Sequence, residues 1–304
     1  MGERIFIAVR AFVVVVIASI ITLLSLPSPM RSAAWTPPPA PNLEGAFTPN
    51  ELLAKADRLA PGQVVGPESI AIDDIGRVYA GTTDGKIVRV EPTLGHVEVF
   101  AETGGRPLGL AFLPDGDLIV ADVMKGLLRI DPYGTIDVIA HEVEGTPLDF
   151  LNSVAVSADG RTVYATDSSS KWGYGDEVND ILEQMPGGRF IRFDLLTKEA
   201  TVLVHGLAFA NGIALSPDES YALIAETARY KITRVWLTGD KKNIAEPFVE
   251  NLPGFPDGIS LSPRGTYWVL VEAVRKSMLD ALHPFPFLKD CIAGLPEALR
   301  PRPI

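Results

Sequence analysis

The sequence predicts an all-β protein built as a six-bladed β-propeller, and three observations carry that prediction. A short cassette, in which an entry position is followed by an alternating strand and a turn, recurs five times along the 304-residue chain. Each cassette is followed by a second β-prone segment, and the first four are also followed by a third and a fourth. The cassettes start 40, 44, 59 and 46 residues apart, and a period of roughly 40 to 50 residues is typical of a four-stranded propeller blade.

The cassettes share one entry position in front of their first strand. These positions are occupied by Glu68, Leu108, Asn152, Asn211 and Asp257. Second strands are predicted at 77–80, 117–121, 161–165, 220–225 and 266–271, third strands at 86–90, 126–130, 189–193 and 231–237, and fourth strands at 96–100, 135–140, 200–204 and 246–249. A β-sandwich would not repeat in this register, so the propeller is the better interpretation.

The N-terminal residues 1–34 are predicted to contain a membrane anchor. Residues 5–26 are almost entirely apolar and, with Arg10 snorkelling, are about long enough to cross roughly 30 Å of hydrocarbon. Arg4 and Arg10 place the N-terminus in the cytoplasm and the rest of the chain on the extracytoplasmic side, periplasmic or lumenal, as a single-pass protein. The competing explanation is a signal peptide cleaved near Ser32-Ala33-Ala34.

Residues 35–65 are predicted to be a proline-rich linker followed by a short helix. The segment 36–41 reads TPPPAP, which is typical of a stiff polyproline spacer. Thr48-Pro49-Asn50-Glu51 has the pattern of a capping box, so a helix is expected from Thr48 to about Leu59.

The propeller is predicted over residues 66–304, with two insertions in its repeat. Residues 168–188 carry Trp172, Tyr174 and an amphipathic helix at 178–185, and residues 276–299 are rich in apolar side chains. Either insertion can be a packed lid on the propeller or a cover over a substrate. The second has membrane contact as a further alternative.

The repeat stops before a sixth blade, and blade five has two predicted strands instead of four. Because propellers leave no blade edge bare, we expect a shortened version of a longer protein, unless the chain closes in another way. The segment TYWVLV at 266–271 is β-prone and uncharged, so its edge favours intermolecular pairing. Residues 35–304 are therefore expected to be insoluble or oligomeric when expressed alone.

Charge and composition exclude several classes of function. The net charge of −11 argues against nucleic acid as a partner, because phosphate binding needs a basic surface. The single cysteine, Cys291, rules out an intramolecular disulfide and a zinc site built on cysteines. The four histidines are scattered and show no HExxH spacing.

Four of the five entry positions carry side-chain oxygens and form a candidate metal site. First strands line the central channel of a propeller, so Glu68, Asn152, Asn211 and Asp257 would lie in a ring around its axis. Two carboxylates and two amide oxygens suit a hard divalent cation, first calcium, then magnesium or manganese. The alternative is that Asn-Gly and Asp-Gly serve only as turn residues, although glutamate is a poor turn former.

A second set of acidic residues ends the second strands, and no catalytic nucleophile accompanies it. Asp122, Asp167, Glu226 and Glu272 either orient the metal ligands or are solvated strand ends. The sequence has no G-x-S-x-G elbow, so the catalytic residues stay unknown and any hydrolysis has to be assisted by the metal.

Several motifs resemble the strictosidine synthase-like family, in particular its adipocyte plasma membrane-associated type. They are Gly66-Pro67-Glu68-Ser69, Arg106-Pro107-Leu108-Gly109-Leu110, Ala165-Thr166-Asp167-Ser168-Ser169, His205-Gly206-Leu207-Ala208-Phe209-Ala210-Asn211-Gly212, Ala225-Glu226-Thr227 and Leu252-Pro253-Gly254-Phe255-Pro256-Asp257. The resemblance runs from about residue 50 to the end. It implies a six-bladed propeller related to the calcium-dependent gluconolactonases and paraoxonases, with the axial metal held at Glu68, Asn152, Asn211 and Asp257.

Two departures limit what the resemblance implies about chemistry. Paraoxonases have a histidine implicated in catalysis at the position of Leu108. Strictosidine synthases use a glutamate of their last blade for condensation of an amine with an aldehyde, and this chain ends before that blade. Because of these two departures, neither mechanism carries over whole. The family is also a poor guide to the reaction, since a fold does not fix chemistry.

The leading hypothesis is a membrane-anchored, metal-dependent esterase or lactonase-like hydrolase. Its expected partners are a small ester or lactone substrate and, through residues 5–26, a membrane. Two alternatives stay open. One is a propeller that binds a ligand or partner without catalysis, and the other is the amine–aldehyde condensation.

Overall fold

A computed structural model describes residues 26–296 together with residues 6, 7, 10, 14 and 22. The chain divides into two units, here called the sheet unit and the helical unit. The sheet unit consists of Pro38–Ile181 and Pro186–Arg275, and the helical unit of Met1–Pro37, Leu182–Met185 and Lys276–Ile304.

Successive antiparallel sheets, here called blades, make up the sheet unit. Blade one contains β1 (Ile70–Ile72), β2 (Val78–Gly81), β3 (Lys86–Glu91) and β4 (His96–Glu102), and blade two contains β5 (Pro107–Phe112), β6 (Leu118–Asp122), β7 (Gly126–Ile130) and β8 (Ile136–Ala140). A small hairpin follows, formed by β9 (Glu142–Val143) and β10 (Thr146–Pro147).

Two more four-stranded blades and a two-stranded one complete the described sheets. Blade three contains β11 (Leu151–Val156), β12 (Thr162–Asp167), β13 (Gly188–Asp194) and β14 (Glu199–Leu207). Blade four contains β15 (Ala210–Leu215), β16 (Tyr221–Glu226), β17 (Lys231–Trp236) and β18 (Ala245–Val249), and blade five contains β19 (Gly254–Leu261) and β20 (Tyr267–Val274). This matches the predicted order of four strands per repeat.

Each blade turns from its first to its second strand through a residue with positive φ. In four blades that residue is a glycine, such as Gly116 (φ 94°), because glycine has no Cβ to clash there. Blade four has Glu219 at this place (φ 54°). The neighbouring Asp218 accepts hydrogen bonds from Ser216 and Ser220, which hold the turn.

The core lies between the blades. The first strands contact one another in sequence order, from β1 through β5, β11 and β15 to β19. Buried apolar side chains fill the space between neighbouring sheets, with Ile119 and Leu151 between blades two and three and Phe190 and Ile213 between blades three and four. Sheets packed face to face around their first strands make this an all-β, propeller-type unit.

Three helices lie in the insertions. Helix α1 (Glu177–Glu183) is in the first insertion, close to the predicted position. Helices α2 (Ser277–Leu282) and α3 (Pro286–Gly294) form most of the second.

The prediction of a helix from Thr48 to about Leu59 is wrong. Residues 52–55 form turns, and the helical structure nearby is a 3-10 turn at Gly45–Phe47. Leu52 and Leu53, which should have formed its apolar face, are 84% and 74% exposed. A short helix is marginal in water without a surface to pack against, so the capping signal alone was insufficient.

Most of the predicted membrane segment, residues 5–26, lies outside the described residues. Within the described part of the chain, no helix is long and apolar enough to cross a bilayer.

Candidate functional site

The entry positions predicted from the cassettes lie at the starts of the first strands. Glu68 precedes β1, while Asn152, Asn211 and Asp257 lie within the first half of β11, β15 and β19. At these last three positions, and at Leu108 in β5, the register of the strand pair is interrupted by a bulge. A bulge changes the direction of a side chain, and bulges are enriched beside active sites. The repeated bulge therefore sets these side chains apart from the regular ladder.

Three acidic residues from the first and last blades interact at this place. Glu68 keeps a side chain that is 29% exposed, and its partial burial, followed by repulsion from Asp257, raises its pKa to about 7. Burial and repulsion by Glu272 raise the pKa of Asp257 to about 6. The Asn211 side chain donates a hydrogen bond to Asp257, which opposes that rise. Glu68, Asn211, Asp257 and Glu272 thus form one electrostatic group.

Asn152 is connected to this group through the backbone of blade four. Its Nδ2 donates to Ser168 Oγ at 3.1 Å, and Ser168 Oγ donates to the carbonyl of Ala210 at 2.8 Å. Ala210 directly precedes Asn211, so both asparagines are held by the same buried network. Asn152 is 4% exposed and Asn211 is 7% exposed.

Arg106 is a site residue that the sequence reasoning missed. Its Nη1 donates to the carbonyl of Gly66 at 2.9 Å, and its Nη2 lies 3.9 Å from Glu68 Oε2. The guanidinium lowers the pKa of Glu68, against the larger effect of burial. The signal in the sequence is the position of Arg106, two residues before Leu108 in a motif of which only the entry position had been interpreted.

The second acidic set divides into two kinds. Asp122, Asp167 and Glu226 are buried. Asp122 and Glu226 each accept a backbone N–H from the chain that enters the first strand of their own blade, donated by Arg106 and Ala208. Lys231 and Arg189 add ion pairs to Glu226 and Asp167, at 2.9 Å and 2.7 Å. Asp122 and Glu226 thus hold the chain at the strand entries. Glu272 is exposed, and its charge raises the pKa values of Glu68 and Asp257.

Hydroxyl groups beside two of these carboxylates hold the next blade. Thr166 Oγ1 donates to the carbonyl of Asn211 at 2.6 Å, and Thr227 Oγ1 donates to the carbonyl of Pro256 at 2.8 Å. Both hydroxyls come from the end of a second strand or just after it. Thr166 therefore positions β15 at the predicted ligand Asn211, and Thr227 positions β19 directly before the predicted ligand Asp257. This gives a physical reason for the Thr-Asp-Ser and Glu-Thr motifs.

Leu108 belongs to a buried apolar cluster at the strand entries. It is 3% exposed and packs with Phe150 and Phe209, whose rings meet edge to face at 5.2 Å between centroids. Phe150 and Phe209 each lie two residues before a predicted asparagine ligand. An apolar cluster therefore lies beside the candidate site at Leu108, the one entry position that has no side-chain oxygen.

The donor set fits a hard divalent cation. All four predicted ligands offer oxygen, and the two carboxylates lie where partial burial and repulsion from neighbouring carboxylates favour protonation, a cost that a cation would remove. Among the described residues, no group of three or more His, Cys, Asp and Glu side chains is suited to a metal ion. The candidate set differs from such a group because two of its members are asparagines.

Two family models match the chain. The model described as strictosidine synthase matches residues 148–240, and the model described as strictosidine synthase-like, N-terminal, matches residues 45–90. The first covers blade three and most of blade four, and the second covers the entry into blade one.

Relatives with high similarity come from animals and plants. The adipocyte plasma membrane-associated protein of Bos taurus is 40% identical over 95% of this chain and 74% of its own length. The human protein of the same name is 39% identical over 90% of this chain and 70% of its own length. Protein strictosidine synthase-like 10 of Arabidopsis thaliana is 36% identical over 83% and 74%.

Solved structures with the same fold include two propellers of distant sequence. A gluconolactonase of Xanthomonas campestris superposes with a TM-score of 0.57 at 19% identity, covering 68% of this chain and 70% of that chain. The calcium-binding protein regucalcin of Agrobacterium tumefaciens superposes with a TM-score of 0.54 at 18% identity, covering 68% of each. At this identity the likeness extends to the fold alone.

Proposed function

This chain belongs to the strictosidine synthase-like family, and on that premise we propose that it is a membrane-anchored hydrolase of ester or lactone bonds that uses a divalent cation, preferably calcium. The observation that carries the proposal is the interaction of Glu68, Asn211 and Asp257, which come from blades one, four and five. In this proposal the sheets are part of a six-bladed propeller. The contacts between successive first strands, from β1 to β19, support that view.

The residues divide the work as follows. Glu68, Asn152, Asn211 and Asp257 hold the cation through oxygen. When bound, the cation supplies electrophilic polarisation of a carbonyl and stabilises oxyanion charge. Asn211 orients Asp257 by its hydrogen bond. The fixed charge of Arg106 keeps Glu68 partly ionised.

A buried apolar cluster lies beside the strand entries of the candidate site. Leu108, Phe150 and Phe209 exclude water beside the strand entries. Such a wall strengthens electrostatic interactions next to it, because the local dielectric is low.

Residues 5–26 anchor the protein in this proposal, with the propeller on the extracytoplasmic side. The length and apolar character of the segment support this. Relatives named as plasma membrane-associated proteins support it as well.

Turnover of an aryl ester and lactone panel, measured with and without chelator, tests the hydrolase. We expect chelation and Asp257→Ala each to lower kcat/KM by about 10²-fold or more, the usual scale for loss of an oxyanion-stabilising group. The matched control is Asp74→Ala, which removes an exposed carboxylate from a turn of blade one. Activity that survives both chelator and Asp257→Ala overturns the metal-dependent mechanism.

A second candidate is a propeller that binds a ligand or partner without catalysing a reaction. Leu108 favours it, because the buried cluster offers no general base at that position. The same panel separates the two candidates. A melting temperature that calcium raises, with no turnover of any substrate, supports the binding protein.

A further inference from the structure

The helical unit exposes an unusual amount of apolar surface on α2 and α3. Met278, Phe285, Phe287 and Leu288 are 75%, 55%, 62% and 46% exposed. All four lie within a stretch of about a dozen residues, and two are aromatic. Contiguous exposed apolar residues on a soluble protein mark an interaction surface. We call these four residues the apolar face.

Helix α3 is inverted relative to an ordinary surface helix. Lys289, next to the exposed Leu288, is 0% exposed, and its Nζ donates to the carbonyl of Ala33 at 2.6 Å. Ala293 is buried on the same side of the helix. A helix on the surface of a soluble protein normally buries its apolar side and exposes its lysines. Lys289 fixes α3 with its apolar side outward.

The same helix contacts the last residue of the predicted membrane segment. A Cβ at Gly294 would lie 3.2 Å from the carbonyl oxygen of Leu26 and 3.3 Å from that of Pro27. Residues 5–26 are the predicted span, so its end is fixed against the C-terminus of α3. Phe287 lies about 10 Å from Gly294 along the helix axis, at roughly 1.5 Å per residue. A bilayer that contains the span is therefore within reach of the apolar face.

The charges of this segment indicate which kind of lipid surface fits. Between Ser277 and Leu295 the charged residues are Asp280, Lys289 and Asp290, and the lysine is buried. Asp290 accepts a hydrogen bond from the backbone of Ser32. Between Ser277 and Leu295 there is thus no basic cluster to attract anionic headgroups, so contact by this segment would depend on apolar insertion and tolerate zwitterionic lipid and salt.

We propose that α2 and α3 form a membrane-contacting element that inserts the apolar face into the interfacial region of the bilayer beside the anchor. The proposal rests on the membrane anchoring advanced under Proposed function. The element lies on the bilayer and does not span it, because α2 and α3 have six and nine residues. It would limit rotation of the helical unit relative to the membrane plane.

Depth-dependent quenching on the full chain tests the element. Cys291, the single native cysteine, is changed to serine, and new cysteines are placed one at a time as Phe287→Cys, Met278→Cys, Thr22→Cys and Tyr133→Cys. Each variant carries an environment-sensitive fluorophore and is reconstituted into phosphatidylcholine vesicles with brominated acyl chains. Tyr133 is the control because it is 93% exposed and belongs to the sheet unit.

We expect loss of emission at positions 287 and 278, little change at 133, and no dependence on salt. Position 22 reports the anchor separately, since it lies inside the predicted span. Quenching at 22 without quenching at 287 and 278 overturns the membrane-contacting element and leaves the anchor standing. Quenching at 287 and 278 without quenching at 22 supports the element and overturns the anchor. Quenching at none of the three overturns both.

A paired substitution checks that the apolar face itself makes the contact. Phe285→Glu combined with Phe287→Glu, tested with the fluorophore at 278, should restore emission at that position. Tyr133→Glu in the same labelled background should not. Both changes affect exposed side chains, so circular dichroism should show an intact fold. Emission at 278 that stays quenched in the double variant contradicts the proposal.

Discussion

At the scale of single residues, the raised pKa values of Glu68 and Asp257 connect the candidate site to stability. The pKa of Glu68 rises from 4.5 to about 7 and that of Asp257 from 3.8 to about 6. The folded chain therefore binds these protons more tightly than the unfolded chain. Their contribution to the free energy of unfolding is full below about pH 4 and is lost as the pH rises to about 7.

We predict that Asp257→Asn removes part of this pH dependence. Relative to the parent protein without added cation, the variant should gain roughly 1–2 kcal/mol in the free energy of unfolding between about pH 4 and pH 7, after allowance for solvent screening. Urea titrations at several pH values measure this difference. Asp74→Asn, at an exposed turn, is the control and should track the parent. Parallel curves for Asp257→Asn and the parent would contradict the assigned repulsion.

In the parent protein, added calcium should offset the loss of stability that accompanies ionisation of Glu68 and Asp257. If Glu68 and Asp257 hold a cation, added calcium should raise the melting temperature more near pH 7 than near pH 5, because the ligands bind metal in their ionised form. In Asp257→Asn the calcium effect should shrink at both pH values.

At the scale of elements, the hydroxyls after the second strands connect one blade to the next. Thr227→Val keeps the shape of the side chain but removes the donor to the Pro256 carbonyl, directly beside Asp257. We predict a loss of about 1–3 kcal/mol in the free energy of unfolding, since a buried carbonyl loses its partner. Denaturant unfolding measures it.

Thr227→Ser is the matched variant, because it retains the hydroxyl and loses only a methyl group. It should recover most of the stability lost in Thr227→Val. If both variants lose the same amount, packing rather than the hydrogen bond connects these strands.

The sheet elements could be predicted from the sequence because alternation and turn residues are local signals. The predicted third strand at 126–130 coincides with the observed β7, and second strands such as β16 differ from prediction by a residue at each end. The failed helix after Thr48 shows the limit of a local signal, since Leu52 and Leu53 found no surface to pack on.

The candidate site was partly predictable. The column of Glu68, Asn211 and Asp257 followed from cassette alignment, and the structure brings these three into electrostatic or hydrogen-bond contact. Bulges and the role of Arg106 were hidden, because both depend on which backbone atoms lie opposite a residue in the fold. Such pairings join positions far apart in the chain, and no local pattern encodes them.

At the scale of the whole molecule, the outer edge of β20 is the place where we expect chains to associate. Among the described strands, β20 pairs with β19 alone, and its Trp268 and Leu270 are 65% and 56% exposed. The part of β20 at 267–271 carries no charged side chain, and an exposed edge of this kind recruits further strands. We predict concentration-dependent self-association of the purified chain, measured by sedimentation velocity, and a shift towards monomer in Leu270→Lys.

Leu94→Lys is the control for added charge, because Leu94 is 80% exposed in a turn of blade one. It should leave association unchanged. A parent chain that sediments as a monomer at all concentrations would show that the β20 edge is not available for pairing.

The candidate ligands come from blades one, three, four and five, and this has a consequence for the order of folding. Asn211 and Asp257 come from adjacent repeats, whereas Glu68 comes from the opposite end of the sheet unit. Closing so long a loop is entropically slow and waits until the intervening blades exist. We therefore expect the group around Glu68 to form late in folding, so that a cation bound there would slow unfolding more than it would speed folding. Occupancy of the site would then set how long a folded molecule lasts.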